Sequence, residues 1–477
     1  MLFALGAVLL AIGVIITVAS PFGGLLVYWI WFLVRPQETW LGLGGPIPME
    51  RIFAITLIIS VLYHYRVASF RPFEISAPMK AFAILVIVNY LTVVTAVWRG
   101  NSLDTVDKFA KLFIVLFLAT IILDTPKKFR IFLWVYALCL GWEAASTIHN
   151  YYANPYFAQG IQRAEGLTET WGDPNAEALN LVLTIPVLLA IRNASKKWKP
   201  TLVVLAILAA IFGGIVLTGS RTGFMILIIA FLLMTIRSPK RFVLLPGLFL
   251  LAFLVWILTP AQYKERYKTI LSFAQDPTGH LDTSEGQSAY GRIVGFRVGM
   301  MMFADHPILG VGVGNFPFAW RFGNYVYAGQ KGWHQPHNLP GQVLSEQGLA
   351  GGLSFIYFIV VIIRSNAAAA RSLLKMRAPP AILLTAGKAV PVVITCLLLQ
   401  GFSSHCYYRY NWYLMCTIVS VICVLTEKEA LKAAEPESPS PSNDPRVTGA
   451  RPQVSGLYQD RELDPVSTGT LRPIRKT

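Results

Sequence analysis

The chain has 477 residues, of which 55% are hydrophobic and 14% charged, with a mean hydropathy of +0.54. No soluble fold buries that much apolar surface, so the composition excludes a soluble enzyme and indicates a polytopic membrane protein. The excess of 41 Lys and Arg over 25 Asp and Glu is what basic cytoplasmic loops and a basic tail produce, and no nucleic-acid partner is expected from it.

Apolar runs near the bilayer-crossing length of about 20 residues recur at 2–19, 21–35, 50–66, 79–98, 107–123, 129–149, 175–192, 200–218, 221–236, 241–259, 340–363, 381–400 and 408–425. They predict an all-α polytopic fold of about twelve or thirteen transmembrane helices. The count turns on whether Ser20-Pro21 makes a tight hairpin or kinks one long helix. The first twenty residues lack a basic n-region and lead at once into a second apolar run, so a retained membrane segment is expected over a cleaved signal peptide. Cys139, Cys396, Cys416 and Cys423 fall inside apolar runs and Cys406 just outside one, with no CxxC or metal-finger spacing. Neither a disulfide framework nor a zinc site is indicated.

The short loops at 127–130, 192–199, 237–241 and 364–377 hold most of the Lys and Arg and alternate in register, which places them in the cytoplasm. The opposite face then receives 36–50, 99–106, 150–174, 218–221, 260–339 and 401–407. The expected organisation is an N-terminal transmembrane bundle (1–259), a large periplasmic loop (260–339) and C-terminal transmembrane helices (340–429). A Pro-, Ser- and Glu-rich tail follows (430–477), too poor in apolar residues to order itself and expected to be cytoplasmic.

Four outer segments carry residues capable of chemistry. In Gln162-Arg163-Ala-Glu-Gly-Leu-Thr-Glu-Thr-Trp-Gly-Asp-Pro-Asn175 the Asp-Pro-Asn reads as a capped helix start, which leaves Arg163 unexplained. Thr218-Gly-Ser-Arg-Thr-Gly223 puts Arg221 in a tight turn between two apolar helices. Such an arginine either snorkels to headgroup phosphates or holds an anion, for which flanking glycines and a planar guanidinium are suited. In Ser288-Ala-Tyr-Gly-Arg-Ile-Val-Gly-Phe-Arg-Val-Gly-Met-Met-Met-Phe303 the apolar Ile293, Phe296, Met300 and Phe303 recur at helical spacing, predicting an amphipathic helix on the membrane surface. On that helix Arg297 reads as solvated and Arg292 as a candidate anion ligand. Last, Lys331-Gly-Trp-His-Gln-Pro-His-Asn-Leu-Pro340 sets His334, His337 and Asn338 immediately before a span. A histidine there is either a hydrogen-bonded structural residue or a neutral imidazole able to take a proton near pH 7. No GxSxG, HExxH or Walker-type loop is present, nor a tight acidic pair for a divalent metal. Arginines with a histidine suit displacement of an anionic leaving group, and no metal or other cofactor is called for.

Arg163-Ala-Glu-Gly-Leu with Asp-Pro-Asn175, Gly-Ser-Arg221-Thr-Gly, Gly-Arg292 with Asp-His-Pro-Ile-Leu-Gly-Val-Gly-Val-Gly-Asn-Phe316, and His337-Asn with Ser345-Glu-Gln-Gly-Leu-Ala-Gly351 together resemble the O-antigen ligase and polymerase superfamily of bacterial polyprenyl-linked glycan transferases. The likeness spans residues 160–352. Arg35-Pro-Gln-Glu38 looks more like the O-glycosylation ligases associated with exosortase systems. The resemblance implies a multi-pass protein of the bacterial inner membrane. Its implied activity is a metal-independent, inverting transfer of a glycan from undecaprenyl diphosphate to an acceptor hydroxyl at the periplasmic face. It further implies that Arg221 and Arg292, with Arg163 nearby, hold the diphosphate and that His337 activates the acceptor. Asn338 would orient the loop or a sugar; Glu346 falls in a matching segment without an evident role, and His334 departs from the pattern. The implied partners are the undecaprenyl-diphosphate-linked glycan, the lipid bilayer and a hydroxyl acceptor, which family members draw from lipid A core, a growing glycan or a protein. A glycan polymerase is the alternative within the class, and an anion transporter or flippase the alternative outside it. The latter would need charges along its spans, and Glu143 and Lys388 are the clearest mid-span charges.

Overall fold

Helix termini here are set by capping residues at the ends of apolar runs, and those termini build the region where the candidate residues meet. The computed structural model describes residues 2–39, 49–67, 75–158, 161–166, 173–195, 197–238, isolated positions in 241–264, 284–327 and 331–434. Most of the predicted span at 241–259 and most of the first half of the predicted large loop lie outside the described residues. The chain divides into two units, Met1–Ala433 and Ala434–Thr477. The last helix continues to Ala434, and the expected disordered tail beyond it lies outside the described residues.

The protein is an all-α polytopic membrane protein. Helices α1 (Leu2–Ala19) and α2 (Pro21–Val34) are separated by Ser20, whose hydroxyl accepts from the Gly23 N–H at 3.3 Å. A Cβ on Gly24 would come within 2.5 Å of Thr17, and one on Gly13 within 3.2 Å of Val27. Those contacts pair residues symmetrically about Ser20, so the break is an antiparallel hairpin rather than a kink. The short α3 (Pro36–Thr39) follows Arg35, which ends α2 in the left-handed region with φ 45° and whose guanidinium lies 2.8 Å from Glu38 and 3.5 Å from Glu50. Then come α4 (Met49–Val67), α5 (Ala77–Leu91), α6 (Arg99–Ile122) and α7 (Pro126–Ala153), the last capped by the Thr125 hydroxyl. A hairpin of two short strands, β1 (Tyr156–Ala158) and β2 (Ile161–Arg163), is the only sheet among the described residues. Its antiparallel register pairs Tyr156 with Arg163.

The second half of the bundle comprises α8 (Pro174–Asn193), α9 (Trp198–Thr218), α10 (Arg221–Ile236), α11 (Ser284–Asp305), α12 (Phe316–Phe322), α13 (Leu339–Lys375), α14 (Ala381–Gln400) and α15 (Tyr410–Ala434). Among the described residues six helical segments are long and apolar enough to cross a membrane: Ala77–Thr95, α7, α8, α9, α13 and α14. Ala4–Ala19, α2 and α10 are shorter apolar helices. Within its most apolar window 89% of α8 is buried, against 33% for α9 and for α13. The difference makes α8 the central post, while Leu202, Leu205, Leu353, Ile356 and Val360 stand exposed on the other two. Apolar faces turned outward are what a lipid solvent permits, since helices in a bilayer associate by packing rather than by escape from water.

Aromatic rings carry much of that packing. Trp29 lies 5.5 Å from Phe132 and 6.2 Å from Tyr410, joining α2, α7 and α15. Tyr413 stacks on Phe82 at 4.7 Å and meets Phe109 edge-on at 5.2 Å, joining α15 to α5 and α6.

Helix α13 is broken at Gly348, with φ 62° and ψ −157°. The segment Pro307–Asn315 fastens into that break: Leu349 and Ala350 N–H donate to the Pro307 and Ile308 carbonyls at 2.8 and 3.1 Å, and Val311 N–H to the Ser345 carbonyl at 2.8 Å. A Cβ on Gly348 would stand 2.5 Å from Ile308, and one on Gly310 2.4 Å from Glu346. Both glycines adopt positive φ, so the residue type is demanded twice over. On the other side of this segment, Asn101 and Ser102 donate to the Gly314 and Val313 carbonyls at 2.8 Å. Residues 99–106, 310–315 and 401–407, expected on one face from charge bias, are joined by hydrogen bonds around the start of α13.

Candidate functional site

Arg163 ends β2 and is buried, 4% exposed. Its Nε donates to the Thr218 carbonyl at 2.8 Å and its Nη2 to Asn175 Oδ1 at 3.3 Å. The same Asn175 oxygen accepts from the Ser220 hydroxyl at 2.8 Å, and Asp173 Oδ1 accepts from the Asn175 N–H and side-chain amide at 3.1 Å. The Ala164 N–H reaches the Leu217 carbonyl at 2.8 Å. Arg163 therefore spends donors on bracing the start of α8 against the end of α9. What it braces is the turn that presents Arg221.

That turn follows from its residues. Gly219 takes the left-handed conformation that ends α9, with φ 58°, and Ser220 caps α10 by accepting from the Gly223 N–H at 3.1 Å. Arg221 is then the first residue of α10, half-buried. A Cβ on Gly223 would stand 2.5 Å from Ala178, so its absence lets α10 lie close on α8. Arg292 projects from the first half of α11, also half-buried. Burial first, then the Arg221 guanidinium, lowers its pKa, and Asp173 opposes them. Two guanidiniums held near enough to disfavour each other leave a concentration of positive charge beside one carboxylate.

The histidine segment is pinned against α11. Asn338 caps α13: its Oδ1 accepts from the Gly341 N–H at 2.6 Å, and its Nδ2 donates to the Pro336 carbonyl at 2.7 Å and the Arg292 carbonyl at 3.5 Å. A Cβ on Gly295 would be 2.4 Å from the Pro336 oxygen, and one on Gly299 3.0 Å from the Gly341 oxygen. Between these fixed points His337 takes φ 52°, a conformation that costs a non-glycine residue on the order of 1–3 kcal/mol. His337 keeps a solvent-open face. Its imidazole is nonetheless held below the usual 6.5, first by desolvation, then by Arg292, with His334 adding to the depression and Asp173 opposing it. A neutral imidazole at neutral pH is the result. His334 itself is exposed and lies edge-on to Trp320 at 6.3 Å.

The structure thus brings Arg221, Arg292, His337 and Asn338 together, and sets Arg163 behind them. Glu346 lies deeper on α13 with no exposure. Its carboxylate accepts from the Phe316 N–H at 3.1 Å and from the Tyr408 hydroxyl, and the same Tyr408 oxygen accepts from the Gly314 N–H at 2.7 Å. It is a buried tie between α13, the start of α12 and the 401–409 loop. The predicted helix α11 exists, and its Ile293 and Phe296 face outward. Its other face, through Gly295, Val298 and Gly299, is buried. Arg297, read as solvated, donates to the Tyr327 hydroxyl at 2.6 Å and lies over that ring.

Two neighbours went unremarked in the sequence, His405 and Arg409, in the loop between α14 and α15. The His405 ring meets His337 edge to face with centroids 5.2 Å apart. Burial, His337 and Arg409 push its pKa down to about 3. The available signal was a short Gly401-Phe-Ser-Ser-His-Cys-Tyr-Tyr-Arg409 loop on the face already holding the other candidates. Among the described residues no group of three or more His, Cys, Asp and Glu is placed to hold a metal, and the five cysteines are free.

No curated protein matches the chain. One solved chain, from a structure described as "Structural coordination of polymerization and crosslinking by a peptidoglycan synthase complex", aligns over 74% of this chain and 97% of its own, at 14% identity and a TM-score of 0.38. The matched family segment runs from α9 into α13, taking in Arg221, Arg292, His337, Asn338 and Glu346; Arg35–Glu38, Arg163, His405 and Arg409 fall outside it. Residues 204–356 match the model of the Wzy_C family, described as O-Antigen ligase, which supports placing this multi-pass membrane protein in the O-antigen ligase/polymerase superfamily.

Proposed function

We propose that the chain is a membrane glycan ligase that transfers a glycan from undecaprenyl diphosphate to an acceptor hydroxyl at the periplasmic face of a bacterial inner membrane. The observation carrying this reading is the convergence of Arg221, Arg292 and His337, from three separate segments, into one electrostatically coupled group with Asp173. Arg221 and Arg292 meet the negative charge that grows on the departing diphosphate, with Arg221 adding the positive end of α10. Their half-burial strengthens that attraction relative to open water.

His337, neutral at neutral pH, takes the proton of the acceptor hydroxyl as its oxygen bonds to the anomeric carbon. The bond from that carbon to the diphosphate oxygen breaks, and the electron pair leaves with the diphosphate. Asn338 holds His337 in reach by tying Pro336 and Arg292 to the start of α13. Arg163 serves this chemistry from behind, by fixing the Arg221 turn. Lipid A core, a growing glycan and a protein hydroxyl are the candidate acceptors.

The test is reconstitution of the purified protein with a polyprenyl-diphosphate glycan and each candidate acceptor, with a chelator present. Transfer without added metal, abolished by His337→Ala and by Arg221→Ala in protein that still inserts, is the expected result. Full activity in either variant, or dependence on added metal, refutes the role assignment.

A further inference from the structure

Among the titratable groups near the site, His405 is the one in ring contact with His337, and the mechanism above leaves it unused. Its imidazole is packed into the loop that closes onto the start of α13, where the Leu339 N–H donates to the Gly401 carbonyl at 2.6 Å and the Tyr407 N–H to Gln342 Oε1 at 3.1 Å. The Trp412 indole donates to the Cys406 carbonyl at 3.1 Å, which fixes the backbone on the other side of His405. Held this way, the ring stands edge to face with His337, centroids 5.2 Å apart and planes 70° from parallel. Its Nδ1 is buried and has no hydrogen-bond partner among the described residues. A buried imidazole nitrogen without a partner costs stability, and a partner that appears during the working cycle would relieve that cost.

We propose that His405 is a positioning residue that acts through His337, its unpaired ring nitrogen receiving the N–H that His337 presents once it has taken the acceptor's proton. The inference rests on the ligase reading given above. The step balances: the acceptor O–H breaks, the proton stays on His337, the new oxygen–carbon bond forms, and the leaving diphosphate departs with its electron pair. His405 takes no proton. Its strongly depressed basicity suits that role, because a second imidazolium beside Arg409, Arg292 and Arg221 would be repelled. The charged and titratable groups facing His337 are Arg292 from α11, backed by Arg221 of α10, Asp173 at the start of α8, His334 on its own segment, and His405 beside Arg409. Of these, Asp173 and His405 alone oppose or absorb positive charge on His337.

The experiment reads the protonation of each histidine in the full-length protein in detergent, from the pH dependence of deuterium exchange at the imidazole carbon by mass spectrometry. In the wild type His405 should show no titration near 6.5; titration there overturns the proposal without any variant. His405→Phe keeps the ring's bulk and removes the acceptor. The proposal expects the His337 pKa to fall by about one unit, a tenfold loss of proton affinity, and His405→Asn to restore part of it. A merely space-filling His405 predicts no change in His405→Phe, or a rise as water enters, and either result overturns the proposal. If His405→Phe does not accumulate, His405→Leu takes its place. His337→Ala is assayed for glycan transfer alongside: activity there defeats the ligase reading and this inference with it. An inactive His337→Ala with an unmoved His337 pKa in His405→Phe defeats this inference alone.

Discussion

A histidine at φ 52° is an expensive way to hold a side chain, and its cost is borne by the neighbours that overdetermine it. Asn338 is the chief of these, so Asn338→Ala should lose the cap, about 0.5–2 kcal/mol, and free the Pro336 carbonyl. The expected outcome is a modest fall in melting temperature together with a much larger fall in transfer rate, measured on one preparation. Arg221→Lys tests geometry rather than charge. A lysine retains the cation but not the planar fork, and transfer should fall by at least about tenfold while expression and insertion hold.

The pH dependence follows from the same residues. The His337 pKa is depressed below 6.5, so transfer should fall with acid along a one-proton limb whose midpoint lies below 6.5. A limb centred above 6.5 contradicts the local field. For stability, His405 is the residue to watch. In the folded chain its pKa is about 3 and in the unfolded chain about 6.5, so the unfolded state binds the extra proton between those values. Stability is therefore full above pH 6.5 and is lost as the pH falls from 6.5 toward 3. Replacing His405 with Asn should flatten that acid slope in thermal unfolding curves. The sequence made Arg221 legible because it interrupts apolar runs in a turn with glycines on both sides, Arg292 because it follows Gly291, and His337 because it follows Pro336 directly ahead of a span. Arg163 was legible as an anomaly but not as a strut, because its partners Thr218 and Asn175 are brought to it only by the packing of α8, α9 and the β hairpin.

At the scale of elements, the glycines of α11 sort into those that hold the site and those that do not. Gly295 faces the Pro336 carbonyl, whereas a Cβ at Gly291 would meet nothing within 4 Å. Gly295→Ala should push the helix off the histidine segment and cut transfer sharply. Gly291→Ala, one turn away, should leave activity intact and stabilise the helix by up to about 1 kcal/mol. Equal effects from the two would mean that α11 does not seat the histidine. Glu346 belongs to a different group of residues. Its removal strands the Phe316 N–H and the Tyr408 hydroxyl in a buried place, at about 1–3 kcal/mol for each unsatisfied group. Glu346→Ala should therefore appear as reduced folded yield, with specific activity per folded molecule changed far less than in His337→Ala. Helix positions were readable from apolar length and, at α8, from Asp173 as a cap, whereas the caps at Ser20, Thr125, Ser220 and Asn338 are findings of the structure. The Gly348 break was not readable. Gly348 reads as one more small residue in a Gly-rich helix start until Pro307–Val311 is seen lodged in it.

For the whole molecule, charge bias among short loops assigned 99–106, 260–339 and 401–407 to one face, and hydrogen bonds join Asn101 and Ser102 to the Gly314 and Val313 carbonyls and Tyr407 to Gln342. The two mid-span charges weighed for a transport path differ in surroundings: Lys388 is exposed on α14, while Glu143 is buried on α7. Sequence reasoning registered Glu143 from its apolar surroundings but did not mark α8 as the most enclosed of the six spans, although its mean hydropathy of 1.5 lies well below the 2.6 of the outward-facing α9.

The bond from Leu339 to the Gly401 carbonyl has a practical corollary for anyone exchanging parts between relatives. The stretch that a family comparison outlines, 204–356, is bounded by similarity and not by mechanical closure. Its histidine is seated by a loop some fifty residues downstream of its edge, and its arginine turn by a strand some forty residues upstream, both distances read from the chain numbering. A chimera grafted at those edges would carry the reactive side chains into a mismatched frame. A graft running from β2 through Arg409 would transplant the site with its supports.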